Sequence, residues 1–178
     1  MIALRRAAVG DEAAIARVNV EAWQQAYAAR VPRAMAEAVT LERRRPMWQA
    51  LIGRHSDTHP TWVAVDEAAG VVGFATGSPA GASVAGIDGE LHMLFVAPGF
   101  QRRDVGRRLF HALADGLVAA GGKSAVATVL DAPAALGFCT ALGGVPVANA
   151  DLDLAGSPVA QTLFAWPDLA ALPPQPGS

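Results

Sequence analysis

The stretch that decides the fold, Glu90 to Leu117, reads ELHMLFVAPGFQRRDVGRRLFHALADGL. Its first seven residues are mostly apolar and end at the turn residues 97–99, which predicts a strand stopped by a turn. From Val105 to Leu117 an apolar residue recurs at every fourth position, which predicts the wide buried face of an amphipathic helix. The arginine-bearing stretch 101–106 lies between strand and helix. Because the first N–H groups of a helix have no partner within it, this loop and helix predict an anion site.

The same residues resemble a motif of the GNAT superfamily, the acyl-CoA-dependent N-acetyltransferases. Members of that superfamily have a strand that ends in a leucine-x-valine-x-proline pattern. A Gln/Arg-x-x-Gly-x-Gly/Ala loop follows it and holds the coenzyme A pyrophosphate. Here the strand ends with LFVAP at 94–98, and the loop matches at Gln101 and Gly106 but has Asp104 at the first glycine. The resemblance extends to the order of elements along nearly the whole chain.

Length and composition indicate one globular domain. The chain has 178 residues and is 52% apolar, which suits a single sizeable core and does not suit a disordered protein. We expect one domain over residues 1–172, followed by a disordered tail of mainly proline, glycine and serine at 173–178.

Charge and cysteine content argue against several classes of function. The net charge is −2 and the arginines concentrate at 43–45 and 102–108, so we expect no broad positive surface for nucleic acid or a membrane. Two small basic clusters suit a small phosphate-bearing ligand better. The lone cysteine, Cys139, excludes an internal disulfide and a cysteine-based zinc site. The N-terminus begins a strand pattern at once and no apolar run is long enough for a membrane helix, so a cytoplasmic location is the expectation.

Hydrophobic periodicity and turn residues predict a mixed α/β fold of order βααβββαβαββ. The predicted helices begin near 12, 33, 105 and 134, and the predicted strands cover 2–7, 61–66, 71–76, 90–96, 124–130, 145–150 and 159–166. Pro46 disfavours helix at Arg45, so we expect residues 33–54 as two short helices, or one kinked helix, on either side of Arg45. Glycines and small residues at 77–89 indicate a long connection.

The GNAT fold has this same order of elements. The resemblance therefore implies a mixed, mostly antiparallel central sheet of about seven strands with helices on both faces. It also implies that the two central strands splay apart to admit the pantetheine arm of the coenzyme.

The resemblance implies acetyl-CoA as cosubstrate and no metal. Backbone N–H groups of the loop and the first helical turn would point at the pyrophosphate, and guanidinium groups would add charge. The strand backbone would offer N–H groups to the thioester oxygen and the pantetheine amide. The implied residues are Leu94, Phe95, Val96, Gln101, Arg102, Arg103, Asp104, Val105, Gly106 and Arg107. A polar strand-to-helix turn with a solvated basic face is the other interpretation of this stretch.

Asp104 is the main departure from the motif. A glycine there lets a phosphate approach the backbone without a Cβ in the way, whereas aspartate adds bulk and a negative charge. Unit charges about 5 Å apart repel by roughly 1 kcal/mol in water and about 3 kcal/mol at an effective dielectric of 20. Aspartate is also a good N-cap, so its carboxylate could simply cap the helix and occupy the N–H groups that the phosphate needs. Both interpretations stay open at this point.

Glu90 is the candidate general base. Acetyl transfer needs the acceptor ammonium deprotonated before its nitrogen attacks the thioester carbonyl, and a carboxylate in a cleft can take that proton, often through water. The resemblance supports this role, since many GNAT enzymes have a glutamate near this point of the fourth strand. His92 would share a face with Glu90 in a regular strand and is the second candidate. A solvated charge at a strand end is the alternative for Glu90.

The leaving thiolate also needs a proton. Many family members supply it from the tyrosine of a Phe-Tyr-x-x-Leu-Gly pattern, and here FCTALG at 138–143 has Cys139 in that position. A thiol has a suitable unperturbed pKa of about 8.5, but it is shorter and a weaker donor than a phenol. A buried packing role is the other interpretation of Cys139, and water is the other source of the proton.

Two further groups of side chains have weaker signals. Trp23, Tyr27 and Trp48 are spaced as core residues of helices, and only Tyr27, near the end of the first helix, is a candidate for the acceptor pocket. His55 and His59 have the i, i+4 spacing of a metal pair, but the segment is typical of a loop, so we expect solvated side chains there.

Together these features predict an N-acetyltransferase that moves an acetyl group from acetyl-CoA to a primary amine of a small molecule, peptide or protein, by direct attack in a ternary complex. The first alternative is a GNAT scaffold that has lost coenzyme binding and serves as a binding or assembly module, as Asp104, Ala132 and Cys139 suggest. The second is another phosphate-ligand enzyme on a similar strand, loop and helix. We expect neither nucleic acid nor a membrane as partner, and the resemblance alone suggests a homodimer.

Overall fold

The computed structural model describes residues 1–53, 59–79, 86–154 and 157–174, which form one seven-stranded sheet with helices on both faces. The strands are β1 (Ile2–Arg6), β2 (Thr61–Asp66), β3 (Gly70–Pro79), β4 (Gly89–Val96), β5 (Ala125–Leu130), β6 (Val145–Leu154) and β7 (Ser157–Trp166). The helices are α1 (Glu12–Tyr27), α2 (Arg33–Ala38), α3 (Leu41–Gly53), α4 (Val105–Ala119) and α5 (Pro133–Ala141), with short 3-10 turns at Pro98–Phe100 and Leu169–Ala171. The predicted mixed fold is confirmed.

The sheet opens between its two central strands. Its order is β1-β2-β3-β4-β5-β7-β6, and each neighbouring pair is antiparallel except β4 and β5. Those two strands are parallel, as a strand–helix–strand crossover requires, but they pair only at Gly89 with Ala125 and at Glu90 with Val126. Beyond these two steps neither strand has the other as a partner. The resulting gap between the ends of β4 and β5 is the splay that the resemblance implies.

The sheet has a hydrophobic core on each face, because successive side chains of a strand point to opposite sides. On one face, Ile15 of α1 and Trp48 of α3 pack with Phe74 of β3. On the other face, Leu109 of α4 packs with Ala75 of β3. Within the described residues no helix has the length and apolarity needed to cross a membrane.

Helix α4 buries the whole apolar stripe that the sequence predicts. The four positions of the stripe are at most 5% exposed: Val105, Leu109, Leu113 and Leu117. Burial of one such side chain contributes about 1.5–3 kcal/mol relative to leaving it in water, so the stripe anchors α4 against the sheet. The position of the loop before α4, where the sequence predicts an anion site, follows from this packing.

The helical region 33–53 forms two helices, which is one of the two expected arrangements, but it breaks at a different residue from the predicted one. The break is at Val39, whose ψ is 86°, and the hydroxyl of Thr40 then accepts the N–H of Arg43 at 3.4 Å. Pro46, the predicted breaking residue, lies inside α3. Its position is exposed, so water can satisfy the helix carbonyl that loses its donor.

Strand β3 is longer than predicted. Residues 77–79, which the sequence suggests are loop, continue the pairing with β4 as far as Gly89. Glycine and proline normally weaken a strand, and that preference is overridden here by the partner strand. The rest of the predicted connection, residues 80–85, and the tail residues 175–178 lie outside the described residues.

Candidate active site

Strand β4 has a bulge at His92, close to the point where the gap begins. Gly77 of β3 pairs with Leu91 and the residue before it pairs with Met93, so His92 is the extra residue on β4. Gly77 permits this close pairing, since a Cβ there would lie 2.5 Å from the backbone oxygen of Glu90. Strand β4 is therefore irregular where the candidate base lies.

The bulge keeps Glu90 and His92 together. Glu90 Oε1 and His92 Nδ1 are 3.8 Å apart, and each side chain is 37% exposed. The other ring nitrogen, His92 Nε2, is hydrogen-bonded to the hydroxyl of the buried Ser78 at 2.8 Å. That bond orients the imidazole while the carboxylate stays in reach of solvent. The two candidate bases thus form one polar group at the closed end of the gap.

The loop before α4 has a backbone conformation that glycine favours. Arg102 has a φ of 60° and Asp104 a φ of 61°, both in the left-handed region. Aspartate is one of the few other residues that adopt this region with a modest penalty. Asp104 therefore keeps the turn that a glycine would make at this position of the motif, and what it changes is the bulk and the charge beside the helix mouth.

The carboxylate of Asp104 leaves the mouth of α4 open. Asp104 is the N-cap residue, but its side chain makes no capping hydrogen bond. Instead its Oδ1 lies 3.3 Å from Nε of Arg107. The first N–H groups of α4 thus keep their capacity to bind an anion, and the guanidinium offsets part of the negative charge. The interpretation in which the Asp104 carboxylate occupies the first N–H groups of the helix is therefore wrong. The effect of its negative charge on phosphate binding is the question that remains.

Two residues that match the motif hold the loop in place. The side-chain amide of Gln101 donates to the carbonyl of Val96 at 3.0 Å and to the Gln25 side chain on α1 at 2.8 Å. A Cβ at Gly106 would lie 3.2 Å from the ring of Phe138, so only a glycine lets the start of α4 approach α5 without a shift. Gln101 and Gly106 therefore have packing roles that position the anion site.

Three arginines lie in the loop and in the first turn of α4: Arg102, Arg103 and Arg107. Arg102 and Arg103 are exposed, and the guanidinium of Arg103 lies 5.3 Å from the centre of the Phe100 ring. Arg107 is more buried, and besides its contact with Asp104 it donates to the carbonyl of Ala141 at 3.4 Å. The loop and the first turn of α4 thus carry one anchored and two solvent-exposed guanidinium groups.

Cys139 lies in the core between α4, α5 and the sheet. It is 6% exposed and belongs to a cluster with Phe110, Leu142 and Trp166. Burial raises the pKa of its thiol to about 11. A thiol with that pKa stays protonated at neutral pH and releases its proton less readily than an ordinary cysteine. The placement agrees with the packing interpretation of this residue.

Tyr27 lies where the end of α1 meets the gap. Its ring stands edge-on to Phe95 of β4 with the ring centres 6.5 Å apart, and it packs in one cluster with Ala132 just before α5. Burial, with a smaller effect from nearby Cys139, raises the pKa of Tyr27 to about 12. The side chain is 9% exposed, and the exposed part faces a cleft.

That cleft has a volume of about 330 Å³ and lies at the open end of the gap. It is formed by the α1–α2 connection, the end of β5 and the start of β7, with Tyr27, Ala29, Arg30, Val31, Leu130, Asp131, Pro158, Val159 and Ala160 as its lining. Sequence reasoning missed Arg30 and Asp131, because neither belongs to a motif. The one available signal was that Asp131 directly follows a predicted buried strand, at the start of a loop.

The segment of His55 and His59, for which we expect solvated side chains in a loop, is described only in part. His55 lies outside the described residues, and His59 is exposed. In the parts of the chain that the structure describes, no group of three histidine, cysteine or carboxylate side chains is arranged to hold a metal ion.

Comparisons with known proteins agree with this geometry. A family model described as "Acetyltransferase (GNAT) family" matches residues 19–143. The uncharacterized N-acetyltransferase YuaI of Bacillus subtilis (strain 168) is 28% identical over 172 residues, which cover 97% of this chain and 96% of the relative.

Solved structures share the fold. A GCN5-related N-acetyltransferase from Rhodopseudomonas palustris superposes with a TM-score of 0.70 at 24% identity, and the match covers 92% of this chain and 93% of the other. YncA of Salmonella typhimurium, solved with its cofactor acetyl-CoA, has a TM-score of 0.70 at 22% identity over 95% of this chain and 94% of its own.

Proposed function

The chain belongs to the acetyltransferase (GNAT) family, and on that premise we propose that it moves an acetyl group from acetyl-CoA to a primary amine of a small molecule, peptide or protein. The amine attacks directly while both substrates are bound. One observation carries the proposal: an uncapped, arginine-lined helix mouth opens onto a gap between two parallel strands, with Glu90 at the closed end of that gap.

The coenzyme would bind along β4. Its pyrophosphate is received by the first N–H groups of α4 and by the guanidinium groups of Arg102, Arg103 and Arg107. Because β5 does not pair with β4 beyond Glu90, the main chain from Leu94 to Val96 can donate to the pantetheine amide and the thioester oxygen. The thioester carbonyl is then polarised by donors that are already in place.

The reaction forms one bond and breaks one. The amine nitrogen bonds to the acetyl carbonyl carbon, the carbon–sulfur bond breaks, and coenzyme A leaves as a thiolate. Glu90 takes the proton of the acceptor ammonium, directly or through water, and His92 is the second candidate because it lies 3.8 Å from Glu90 and is solvent-accessible. An acid–base pair at the closed end of the gap is where this chemistry needs it.

Cys139 is the candidate side-chain donor for the leaving thiolate, with water as the alternative. Its pKa of about 11 makes proton transfer to a coenzyme A thiolate unfavourable, so we expect Cys139→Ala to keep kcat within about twofold. The same variant should lose about 1 kcal/mol of stability from the vacated core volume. A large fall in kcat without a matching loss of folded protein would instead assign the proton transfer to Cys139.

The proposal also covers the location of the enzyme and its partners. We place the enzyme in the cytoplasm, where acetyl-CoA is made and used, and expect it to act without nucleic acid or membrane partners. A homodimer is expected, and sedimentation of the purified chain would decide between one copy and two.

The proposed function is tested by release of free thiol from acetyl-CoA with a panel of primary amines, with the acetylated product identified by mass spectrometry. Wild type should turn over at least one amine. Glu90→Gln should lower kcat by about 100-fold, since a general base contributes roughly that much or more, while the Kd for acetyl-CoA stays unchanged.

Asp115→Asn, which alters an exposed carboxylate on α4, is the matched control and should match wild type. An unaltered kcat in Glu90→Gln would remove Glu90 as the base, and His92→Asn would then be the variant that loses activity. Absence of turnover together with absence of acetyl-CoA binding would favour a scaffold that has lost its catalytic role.

A further inference from the structure

The leaving group of the proposed reaction needs a hydrogen-bond donor near its sulfur. When the carbon–sulfur bond of acetyl-CoA breaks, the electron pair passes to sulfur, and a donor that is already in place there stabilises the developing charge. The thiol of Cys139 is a weak donor and lies within the core cluster of α4, α5 and the sheet. The chain has a single tyrosine, Tyr27, whose phenol is a better donor than a thiol. The position of this phenol relative to the gap decides whether it can act on the sulfur.

Tyr27 lies at the open end of the gap between β4 and β5. Its ring centre is 6.5 Å from that of Phe95 on β4. The cluster that contains Tyr27 and Ala132 also packs against Leu130, the last residue of β5. Tyr27, which belongs to α1, is thus close to both strands beyond the point at which they stop pairing.

Phe95 marks the level at which we expect the thioester. It is the middle residue of the stretch from Leu94 to Val96, whose main chain is proposed to donate to the pantetheine amide and the thioester oxygen. Because the sulfur is bonded to the carbonyl carbon, a carbonyl held by this stretch brings the sulfur to the same level. Glu90 lies further toward the closed end of the gap, on the side of the attacking amine. The phenol and the proposed base therefore serve different atoms of the reaction.

The hydroxyl of Tyr27 has unused hydrogen-bonding capacity. The side chain is 9% exposed, and within the described part of the chain its hydroxyl makes no hydrogen bond. The hydroxyl oxygen is also absent from the fully buried polar atoms that lack a partner, so it belongs to the small exposed part of the side chain, which faces the cleft beside the gap. Tyrosine hydroxyls in such largely buried positions usually have a hydrogen-bond partner. A bound group with an acceptor atom would supply one here.

We propose that the hydroxyl of Tyr27 donates a hydrogen bond to the sulfur of coenzyme A and stabilises the thiolate that leaves during acetyl transfer. This inference rests on the proposed function, because it assigns a donor to the leaving group of that reaction. The phenol does not give up its proton, since burial raises the pKa of Tyr27 to about 12. The thiolate leaves with its hydrogen bond to Tyr27 and then takes a proton from solvent.

The deciding test measures the pKa of the coenzyme A thiol while coenzyme A is bound to the protein. The ultraviolet absorbance of the thiolate is titrated against pH for wild type and for Tyr27→Phe, which removes the hydroxyl and keeps the ring. We expect the pKa of the bound thiol to be about one unit higher in the variant, because the thiolate loses a hydrogen bond. Arg30 and Asp131, the charged residues that line the cleft, are the same in both proteins, so their effect cancels in the comparison.

The protein itself contributes little to this titration. Tyr27 is the only tyrosine of the chain and Cys139 the only cysteine. Burial raises their pKa values to about 12 and about 11. Both groups therefore keep their protons below about pH 10, where the thiol of coenzyme A titrates.

Turnover gives a second readout. Tyr27→Phe should lower kcat by about tenfold and leave the Kd for acetyl-CoA and the KM for the amine within about twofold, because the hydrogen bond gains its strength only as charge develops on sulfur. Met35→Leu is the matched control, since it is a conservative change in a residue that packs against the same cluster. It should match wild type in kcat and in the pKa of the bound thiol.

The outcomes separate the failure of this inference from the failure of the proposed function. Equal pKa values of the bound thiol in wild type and Tyr27→Phe would overturn the inference, as would an increase of about one unit in Cys139→Ala instead. A raised KM for the amine with unaltered kcat would also overturn it, because the hydroxyl would then bind the acceptor. In each of these cases acetyl transfer by wild type would still support the proposed function.

The reverse result is equally informative. Coenzyme A that binds with the expected difference in pKa, in a protein that acetylates no amine, would support the hydrogen bond from Tyr27 and count against the proposed function. Absence of coenzyme A binding would overturn both.

Discussion

At the scale of single residues, Asp104 is the main departure of this chain from the family motif. Its backbone takes the left-handed conformation with a φ of 61°, its carboxylate turns to Arg107, and the helix mouth stays uncapped. The carboxylate still lies beside the expected pyrophosphate. We therefore expect its cost to coenzyme binding to be electrostatic and to be partly offset by one neighbouring guanidinium group.

Asp104→Gly should tighten acetyl-CoA binding. Removal of the repelling charge should make the binding free energy more favourable by about 1 kcal/mol at the expected separation. This corresponds to a roughly fivefold lower Kd. Calorimetric titration of acetyl-CoA into wild type and variant measures the change.

Asp104→Asn is the matched control, because it removes the charge and keeps a side chain that tolerates the same backbone region. If charge is the cause, both variants should bind more tightly to a similar degree. Unchanged or weaker binding in both would show that the repulsion is negligible, and a gain in the glycine variant alone would assign the effect to the Cβ and the backbone.

Residues tied to a motif could be predicted from the sequence, and residues placed by long-range pairing could not. Gln101 and Gly106 match a local spacing, and the structure gives both a packing reason. Asp131 and Arg30 are far apart in sequence and line one cleft only because the end of β5 lies near the α1–α2 connection. No local pattern records that contact.

At the scale of elements, the β3–β4 pair shows how one glycine determines the shape of the site. A Cβ at Gly77 would lie 2.5 Å from the backbone oxygen of Glu90, a distance that real structures do not contain. The two strands can keep their register, and the bulge at His92, only while this position has no side chain.

Gly77→Ala should therefore destabilise the protein by about 2 kcal/mol, because a strand must shift to relieve the overlap. It should also lower kcat, since the shift displaces Glu90. Denaturant unfolding and the thiol-release assay measure the two effects. Gly99→Ala is the control, because a Cβ there meets nothing within 4 Å. Equal stability of the two variants would contradict the assigned role of Gly77.

The junction of β1 and α1 gives a prediction about pH. Arg5 donates two hydrogen bonds to the Asp11 carboxylate, at 2.6 and 2.9 Å, and the N–H of Ala8 adds a third at 2.8 Å. The Arg5 bonds are the main reason that the pKa of Asp11 lies below its ordinary value of 3.8. A carboxylate whose pKa is lower in the folded than in the unfolded state stabilises the fold at pH values above its unfolded pKa. This contribution is lost as the pH falls through the folded pKa.

Asp11→Asn should lose about 1 kcal/mol of unfolding free energy at pH 7, as expected for a well-oriented, partly exposed pair. The difference from wild type should shrink as the pH falls below about 4. Denaturant unfolding at several pH values gives the curve. Glu37→Gln, which breaks the far more exposed pair with Arg33, should change stability by less than about 0.5 kcal/mol. A difference for Asp11→Asn that is constant from pH 7 to pH 3 would contradict the assignment.

Elements with strong hydrophobic periodicity could be predicted from the sequence, but the residues at which helices and strands end could not. The stripe of α4 has four buried positions in register, so its helix was evident from the sequence. The break before α3 depends on Thr40 and on the solvent exposure of Pro46, which propensity alone does not report. Strand β3 extends through Gly77 because its partner continues, which is likewise a tertiary effect.

At the scale of the whole molecule, three features lie around the opening of the sheet. The mouth of α4 offers an anion site, the unpaired stretch of β4 offers main-chain donors, and the cleft beside Tyr27 offers two opposite charges. The gap between β4 and β5 connects them. A cosubstrate that enters from the helix mouth and an acceptor that enters from the cleft would therefore meet along β4, near the polar pair of Glu90 and His92.

The central claim is tested most directly by calorimetric titration of acetyl-CoA into the purified wild-type chain. We predict saturable binding of one coenzyme per chain with a micromolar Kd, and competition by free coenzyme A but not by an adenine nucleotide that lacks the pantetheine arm. Absence of heat at millimolar acetyl-CoA, or equal competition by the nucleotide, would contradict the assignment of the helix mouth and the strand gap as a coenzyme A site.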